Sequence, residues 1–177
     1  MTIVYLYCHE IRTVPRVPTE LTLRPAIAAD VPTILRCIQG LAEYERLPHA
    51  CIATEELLLA SLFGADPVAH VTLALDGHTP AGFALWFRNY STFLARPGIY
   101  LEDLFVFPEF RGRGIGHQLL ALLARTAMER GYGRLEWAVL DWNAPAIRFY
   151  ESVGAVPKSE WTTYQVSGAA LERLALT

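Results

Sequence analysis

The sequence predicts a mixed α/β fold in a single domain, and three observations lead to this prediction. The chain has 177 residues, 53% of them hydrophobic, which is enough to bury a full core without disulfides or metals. Apolar residues follow the strand period in some segments and the helical period in others. At the centre, a run of strands is followed by a helix and another strand, and such a crossover places two strands in parallel.

The domain is expected to follow a short N-terminal extension. Residues 1–20 are assigned to this extension, in which 3–7 have strand character and 14–18 are typical of a linker. Residues 21–177 are then assigned to one domain.

The first half of the domain is predicted to contain a strand, two helices and three further strands. Residues 21–25 alternate and end in proline, as a short strand does. Asp30 is expected to cap a helix that runs to about Tyr44, and Thr54 to cap a second helix that ends at Gly64. The three strands, predicted as an antiparallel meander, are residues 68–75, 81–88 and 99–107.

The second half is predicted to alternate helices with strands. A helix from Gly114 to about Arg130 repeats its apolar residues at the 3.6 period, and a strand follows over 135–140. Asn143 is expected to cap another helix that ends at Gly154. Two closing strands are expected at about 155–161 and 162–166. The complete order gives a mixed sheet of six to seven strands with about four helices.

Composition and charge exclude several classes of protein. Fifteen basic and 18 acidic residues give a net charge of −3, which argues against a general nucleic-acid binder. The three cysteines have no metal-binding spacing and their odd number does not make a disulfide framework, so no metal site and a cytoplasmic location are expected. No apolar run is long enough to span a membrane, so no membrane partner is expected.

The strongest local signal is a glycine-rich turn before the third predicted helix. Residues 111–116 read Arg-Gly-Arg-Gly-Ile-Gly. Glycine lets the backbone approach a ligand closely, and the first turn of a helix offers unbonded N–H groups and a partial positive charge. The turn therefore predicts a seat for phosphate groups, with Arg111 and Arg113 as charge-assisted contacts.

Two other phosphate-binding motifs do not fit this turn. It is not a P-loop, because no Lys followed by Ser or Thr stands at the required place. The glycine spacing also differs from the Rossmann fingerprint, in which Glu136 would be the acid that binds the ribose.

These residues, with several other motifs, resemble the GNAT superfamily of N-acetyltransferases. Arg111-x-x-Gly114-x-Gly116 matches the superfamily's Q/R-x-x-G-x-G/A pyrophosphate motif. Further segments resemble the spermidine/spermine and thialysine enzymes among the diamine acetyltransferases: Leu41-Ala-Glu-Tyr-Glu45, Tyr100-Leu-Glu-Asp103, residues 108–116, Leu140-Asp-Trp-Asn143, and Phe149-Tyr150 with Gly154-Ala155. The resemblance covers about residues 21–177. It implies a mostly antiparallel, twisted sheet with a locally parallel central pair, acetyl-CoA as co-substrate, no metal, and a homodimer.

The resemblance also implies which residues hold acetyl-CoA. Backbone groups of the strand around Leu104 and Val106 would bind acetyl-pantetheine and stabilise the developing oxyanion. Asn143 either contacts the cofactor or only caps its helix. The cofactor-binding residues implied in this way are Leu104, Phe105, Val106, Arg111, Gly112, Arg113, Gly114, Ile115, Gly116, His117 and Asn143.

Two residues are assigned to proton transfer by the resemblance. A primary amine of pKa ~10.4 is about 0.1% neutral near pH 7.4, a penalty of roughly 4 kcal/mol, so a general base is required. Glu102 is implied as this base, acting through ordered water. Because adjacent strand residues face opposite sides of a sheet, Glu102 and Asp103 are not expected to cooperate. Tyr150, two helical turns after Asn143, would protonate the leaving sulfur.

The residues implied for substrate binding are Tyr44, Glu45, Phe93, Asp103 and Trp161. A carboxylate beside the reacting amine would keep that amine protonated, so acids are expected at a distal ammonium instead. The chain has Ser91 and Phe93 where the polyamine enzymes carry Asp and Trp, which favours a shorter diamine, thialysine or another lysine-like amine.

Two alternatives remain beside a small-amine acetyltransferase. One is a peptide or protein amine acetyltransferase, which needs an open groove rather than the aromatic-rich loop at 90–96. The other is a non-catalytic CoA-binding domain, which would not need both Glu102 and Tyr150.

Overall fold

The computed structural model describes residues 20–177, which fall into two compact units. The first unit ends at Ala138 and the second begins at Val139. Apart from Glu20, the N-terminal extension and its predicted strand at 3–7 lie outside the described residues.

The first unit is built on one sheet of five strands in the order β1-β2-β3-β4-β5. All neighbours are antiparallel except β4 and β5, which are parallel. The mixed sheet with one parallel pair is therefore confirmed, although this pair lies at an edge of the described sheet rather than at its centre. The strands are β1 (Leu21–Pro25), β2 (His70–Asp76), β3 (Thr79–Ser91), β4 (Arg96–Val106) and β5 (Leu135–Glu136).

Helices α1 (Val31–Tyr44) and α2 (Glu55–Phe63) pack on the core of this unit. Ile34 and Cys37 of α1 are fully buried against a cluster that includes Phe83 of β3 and Phe105 of β4. Residues three apart on α1 share a face, which is why the helix presents this apolar stripe to the sheet.

Helix α3 (Ile115–Glu129) follows the glycine-rich turn and contacts β3 and β4. Its buried residues include Ile115, Leu119, Leu123 and Ala127, which repeat every four positions as the helical period requires. Gly131, with φ +68°, adopts the left-handed conformation that ends a helix, as the sequence predicts.

One of the two predicted helix caps in the first half differs from expectation. The N–H of Leu57 donates to Thr54 Oγ1 at 3.3 Å, so Thr54 caps α2. Asp30 stands at the N-cap position of α1, as predicted, but its side chain makes no hydrogen bond to that helix. Its carboxylate instead accepts both terminal nitrogens of Arg24, at 2.7 and 2.8 Å, and the N–H of Ile27 at 2.8 Å. A bidentate, charge-assisted pair is stronger than a single cap bond, which explains this choice.

The second unit contains α4 (Ala144–Ser152) and α5 (Gly168–Ala175). The strands expected at 155–161 and 162–166 are absent from the structure, β5 ends at Glu136 rather than near residue 140, and α5 was not predicted. The described sheet thus has five strands instead of six to seven, and the described chain has five α-helices instead of four. Apolar residues can favour an extended chain, but a strand forms only where a neighbour pairs with its backbone groups.

Candidate functional site

Strand β4 carries a bulge at Glu102. The register pairs Leu85 with Asp103 and Trp86 with Leu101, so Glu102 has no partner of its own on β3. Tyr100 and Asp103 consequently lie on one face although they are three residues apart. Their partners on β3, Phe87 and Leu85, both pack against the core that α1 covers.

The edge of β4 that faces away from β3 is open beyond Tyr100. Strand β5 pairs with β4 only at Ile99 and Tyr100. The N–H of Phe107 donates to Ala81 O of β3 at 3.0 Å, so alternation directs the main-chain groups of Leu104 and Val106 towards the opposite edge. No strand of the described sheet pairs with them there. These are the backbone groups that the sequence assigned to an acyl donor.

The glycine-rich turn leads from this edge into α3. Gly112 and Gly114 have φ values of +73° and +75°, and a Cβ added at either would meet no atom within 4 Å. Glycine is thus required by the backbone conformation and not by crowding. The first bond of α3 runs from Gln118 N–H to Gly114 O, so the preceding N–H groups of the helix have no acceptor within it. They belong to Ile115, Gly116 and His117.

The two arginines of the turn are both engaged by other parts of the first unit. Arg111 donates from Nε to Val106 O at 3.0 Å, and its guanidinium lies 4.8 Å from the ring centroid of Tyr44. Arg113 donates from Nη1 to Asp76 Oδ2 at 2.8 Å. Asp76 was not predicted as a site residue, because nothing in its local sequence indicates a partner 37 residues away.

Three carboxyl groups lie near the β4 bulge: those of Glu102, Asp103 and Glu45, which follows the last residue of α1. Burial, together with repulsion from Glu102 and Glu45, raises the pKa of Asp103 from 3.8 to about 6. Burial also raises the pKa of Glu45. The bulge breaks the strict alternation of β4 at Glu102, and the charge of Glu102 acts on Asp103. That the two acids do not cooperate in catalysis stays a prediction.

Several other predicted site residues have clear positions in the first unit. The side chains of Phe105 and Ile115 are buried, so they pack in the core. Phe93 is 91% exposed in the turn between β3 and β4. Glu102 comes six positions after Arg96 on β4, which at about 3.3 Å per residue places the Phe93 turn roughly 20 Å from the bulge.

Three predicted site residues lie in the second unit. The N–H of Ala146 donates to Asn143 Oδ1 at 3.3 Å, so Asn143 caps α4 as expected. Tyr150 lies on α4, with its ring 5.3 Å from that of Phe149. Trp161 lies in the segment without regular structure between α4 and α5.

Other candidate chemistry is not supported in the described part of the chain. Glu136, the acid considered for a Rossmann fingerprint, accepts from Asn89 Nδ2 at 2.9 Å and pairs with Arg134 at 2.8 Å. Among residues 20–177 there is no group of His, Cys, Asp and Glu that could hold a metal ion. None of the helices described is long and apolar enough to cross a membrane.

Comparison with known proteins identifies the family of this chain. Residues 36–155 match the model of the acetyltransferase (GNAT) family. The chain is 34% identical over 197 residues to L-ornithine N5-acetyltransferase NATA1 of Arabidopsis thaliana, covering 86% of each protein. It is 38% identical over 164 residues to thialysine N-epsilon-acetyltransferase of Bos taurus, covering 86% of this chain and 96% of that protein.

A solved structure shows the same fold. The integron cassette protein VCH_CASS6 from the mobile metagenome of V. cholerae aligns with a TM-score of 0.75 at 26% identity, over 89% of this chain and 98% of that one. The fold and these relatives define an acyltransferase. The chain belongs to the GNAT acetyltransferase family, whose members use acetyl-CoA.

Proposed function

We propose that this enzyme transfers the acetyl group of acetyl-CoA to the terminal primary amine of a small amino acid of the ornithine and thialysine type, or of a related diamine. The transfer is direct, with both substrates bound in a ternary complex. Residues 21–177 act as one N-acetyltransferase domain in a cytoplasmic homodimer. The observation that carries the proposal is the group of acids near the β4 bulge. The bulge lies on the strand that leads through an unpaired edge of the described sheet to the glycine-rich turn.

The donor side of the proposal is supported by two features of the first unit. The N–H groups of Ile115, Gly116 and His117 would hold the phosphates, over a turn where the glycines leave open space. The main-chain groups of Leu104 and Val106 would hold the acetyl-pantetheine arm along the open edge of β4. Acetyl-CoA supplies the acetyl group as a thioester.

The acceptor side is supported by the carboxyl groups. Asp103 and Glu45 are buried enough for their pKa values to rise, and an ammonium placed between them would favour their charged forms. An amino acid with a terminal amine carries such an ammonium at its other end. The relatives named for ornithine and thialysine are matched over 86% of this chain and 86–96% of their own length. A spermidine/spermine acetyltransferase-like relative is matched over only 21% of its length.

Proton transfer completes the proposed reaction. The amine nitrogen forms a bond to the acetyl carbon while the carbon–sulfur bond breaks. The proton that leaves the nitrogen passes through water to Glu102, whose exposed position on the bulge allows water to reach it. Tyr150 gives its proton to the departing sulfur.

A thiol-release assay with acetyl-CoA tests this function. Thialysine and ornithine are expected to give kcat/KM values at least about tenfold above those of spermidine and spermine, which corresponds to about 1.4 kcal/mol of selectivity. Glu102→Gln should lower kcat while CoA binding persists. Glu43→Gln, which changes an exposed acid of α1, is the matched control. Acetylation of peptides but of no free amine would contradict the proposal.

A further inference from the structure

We propose that the ion pair between Arg113 and Asp76 holds the glycine-rich turn in its ligand-binding conformation. Both residues would then be positioning residues for the phosphates of CoA, and Arg113 would not be a direct phosphate contact. The inference rests on the proposed function, because it assumes that the turn binds CoA.

The pair has the geometry of a structural anchor. Asp76 is the last residue of β2, and its side chain is only 3% exposed. Arg113 donates to Asp76 Oδ2 at 2.8 Å, and its guanidinium also lies 5.6 Å from the ring centroid of Phe110. A carboxylate removed from water in this way needs a charged, hydrogen-bonding partner, so the guanidinium is held firmly.

The position of Arg113 in the turn gives the anchor its effect. Arg113 stands between Gly112 and Gly114, whose φ values are +73° and +75°. The space beside both glycines is open, since a Cβ at either position would touch nothing within 4 Å. Glycines lose more conformational freedom than other residues when they become ordered. Fixing the residue between them therefore restricts both, and orients the N–H groups at the start of α3 before a ligand arrives.

The two possible roles of Arg113 predict opposite effects when Asp76 is neutralised. If Arg113 contacts phosphate directly, Asp76→Asn frees a guanidinium for the ligand, and CoA binds as well or better. If the pair positions the turn, Asp76→Asn lets the turn leave its binding conformation, and CoA binds less well. If the turn adopts its binding conformation only one-tenth of the time, CoA binds about tenfold more weakly.

The experiment measures CoA binding by calorimetry, and amide hydrogen exchange of residues 112–118 in the enzyme without CoA. Asp76→Asn is expected to raise the Kd about tenfold, to speed exchange in the turn, and to raise the KM for acetyl-CoA more than it changes kcat. Asp30→Asn is the matched control, because it removes an ion pair of similar length with Arg24 that includes no residue of the turn. It should change neither the Kd nor the exchange of the turn.

A second variant keeps the test decisive if Asp76→Asn does not fold. Arg113→Gln removes the other half of the pair, and the same faster exchange in the CoA-free enzyme is expected. Tight CoA binding by Asp76→Asn, or unchanged exchange of the turn in the variant that folds, would overturn the inference. If the wild-type protein binds no CoA, the proposed function is refuted. Comparing hydrogen exchange of the turn in the wild-type protein and the variants would still test whether the ion pair holds the turn.

Discussion

Replacing Asp103 by asparagine is expected to stabilise the protein above pH 6, because the fold holds this carboxyl group in an unfavourable environment. Burial and the neighbouring acids Glu102 and Glu45 raise the pKa of Asp103 from 3.8 to about 6. The native state therefore binds the proton more tightly than the unfolded chain does. As the pH rises from about 4 to 6, the free energy of unfolding of the wild-type protein falls, because the unfolded chain releases the proton of Asp103 before the native state does. The loss is complete above that range.

The size of the effect follows from the shift in pKa. About two units at 1.36 kcal/mol each correspond to about 3 kcal/mol. Asparagine has a similar size and no charge, so Asp103→Asn should recover up to that amount at pH 7.5 and almost none at pH 4. For a chain of 177 residues, this is roughly 6–12 °C in Tm.

Urea unfolding at pH 4, 6 and 7.5 measures this difference. Glu43→Gln is the matched control, because it neutralises an exposed acid close to Glu45 in sequence. The difference in stability between this variant and the wild-type protein should not grow with pH. The reasoning is refuted if Asp103→Asn is no more stable than wild type at pH 7.5, or if its effect is equal at pH 4 and pH 7.5.

Three further predictions test the site and the core. Gly114→Ala places an alanine at φ near +75° and should cost about 1–2 kcal/mol of stability. The variant should also bind CoA more weakly in a calorimetric titration. CoA binding as tight as in the wild-type protein would contradict the role of the turn. Tyr150→Phe should keep CoA affinity while kcat falls by about 100-fold or more in the thiol-release assay, and an unchanged kcat would remove Tyr150 from the mechanism. Burial raises the pKa of the Cys37 thiol to about 12, so mass spectrometry should find Cys37 unlabelled after iodoacetamide treatment of the folded protein at pH 8. Rapid labelling of Cys37 would contradict its place in the core.

Most of the first unit could be predicted from the sequence because its signals are local. Thr54 lies at the start of α2 and Gly131 just after α3, and the meander lies within a few residues of its predicted bounds. Caps and turns depend on a side chain and its near neighbours, which a sequence displays directly. Asp30 failed as a cap because a stronger partner, Arg24, comes from a separate strand.

The closing strands failed for a related reason. Residues 155–166 were predicted as strands, yet a strand also needs a paired neighbour, and they pair with no strand in the described chain. Pairing is a property of two segments, so the pattern of one segment does not determine it.

The same limit applies to the candidate site. The motif around Arg111 to Gly116 correctly predicted a turn that leads into a helix, because its glycines and the helix start are adjacent in sequence. The partners of the arginines did not follow from the motif. Arg111 reaches Tyr44 at the end of α1, and Arg113 reaches Asp76 at the end of β2.

The sequence by itself determined the family, the order of most elements and the place of the glycine-rich turn, since these depend on spacing along the chain. Only the tertiary structure decided how the acids and arginines are used. Near the bulge in β4, Asp103 is repelled by Glu102 and Glu45, and a contact across 37 positions ties Arg113 to a buried carboxylate. Charges interact through space, so the fold sets which of them meet.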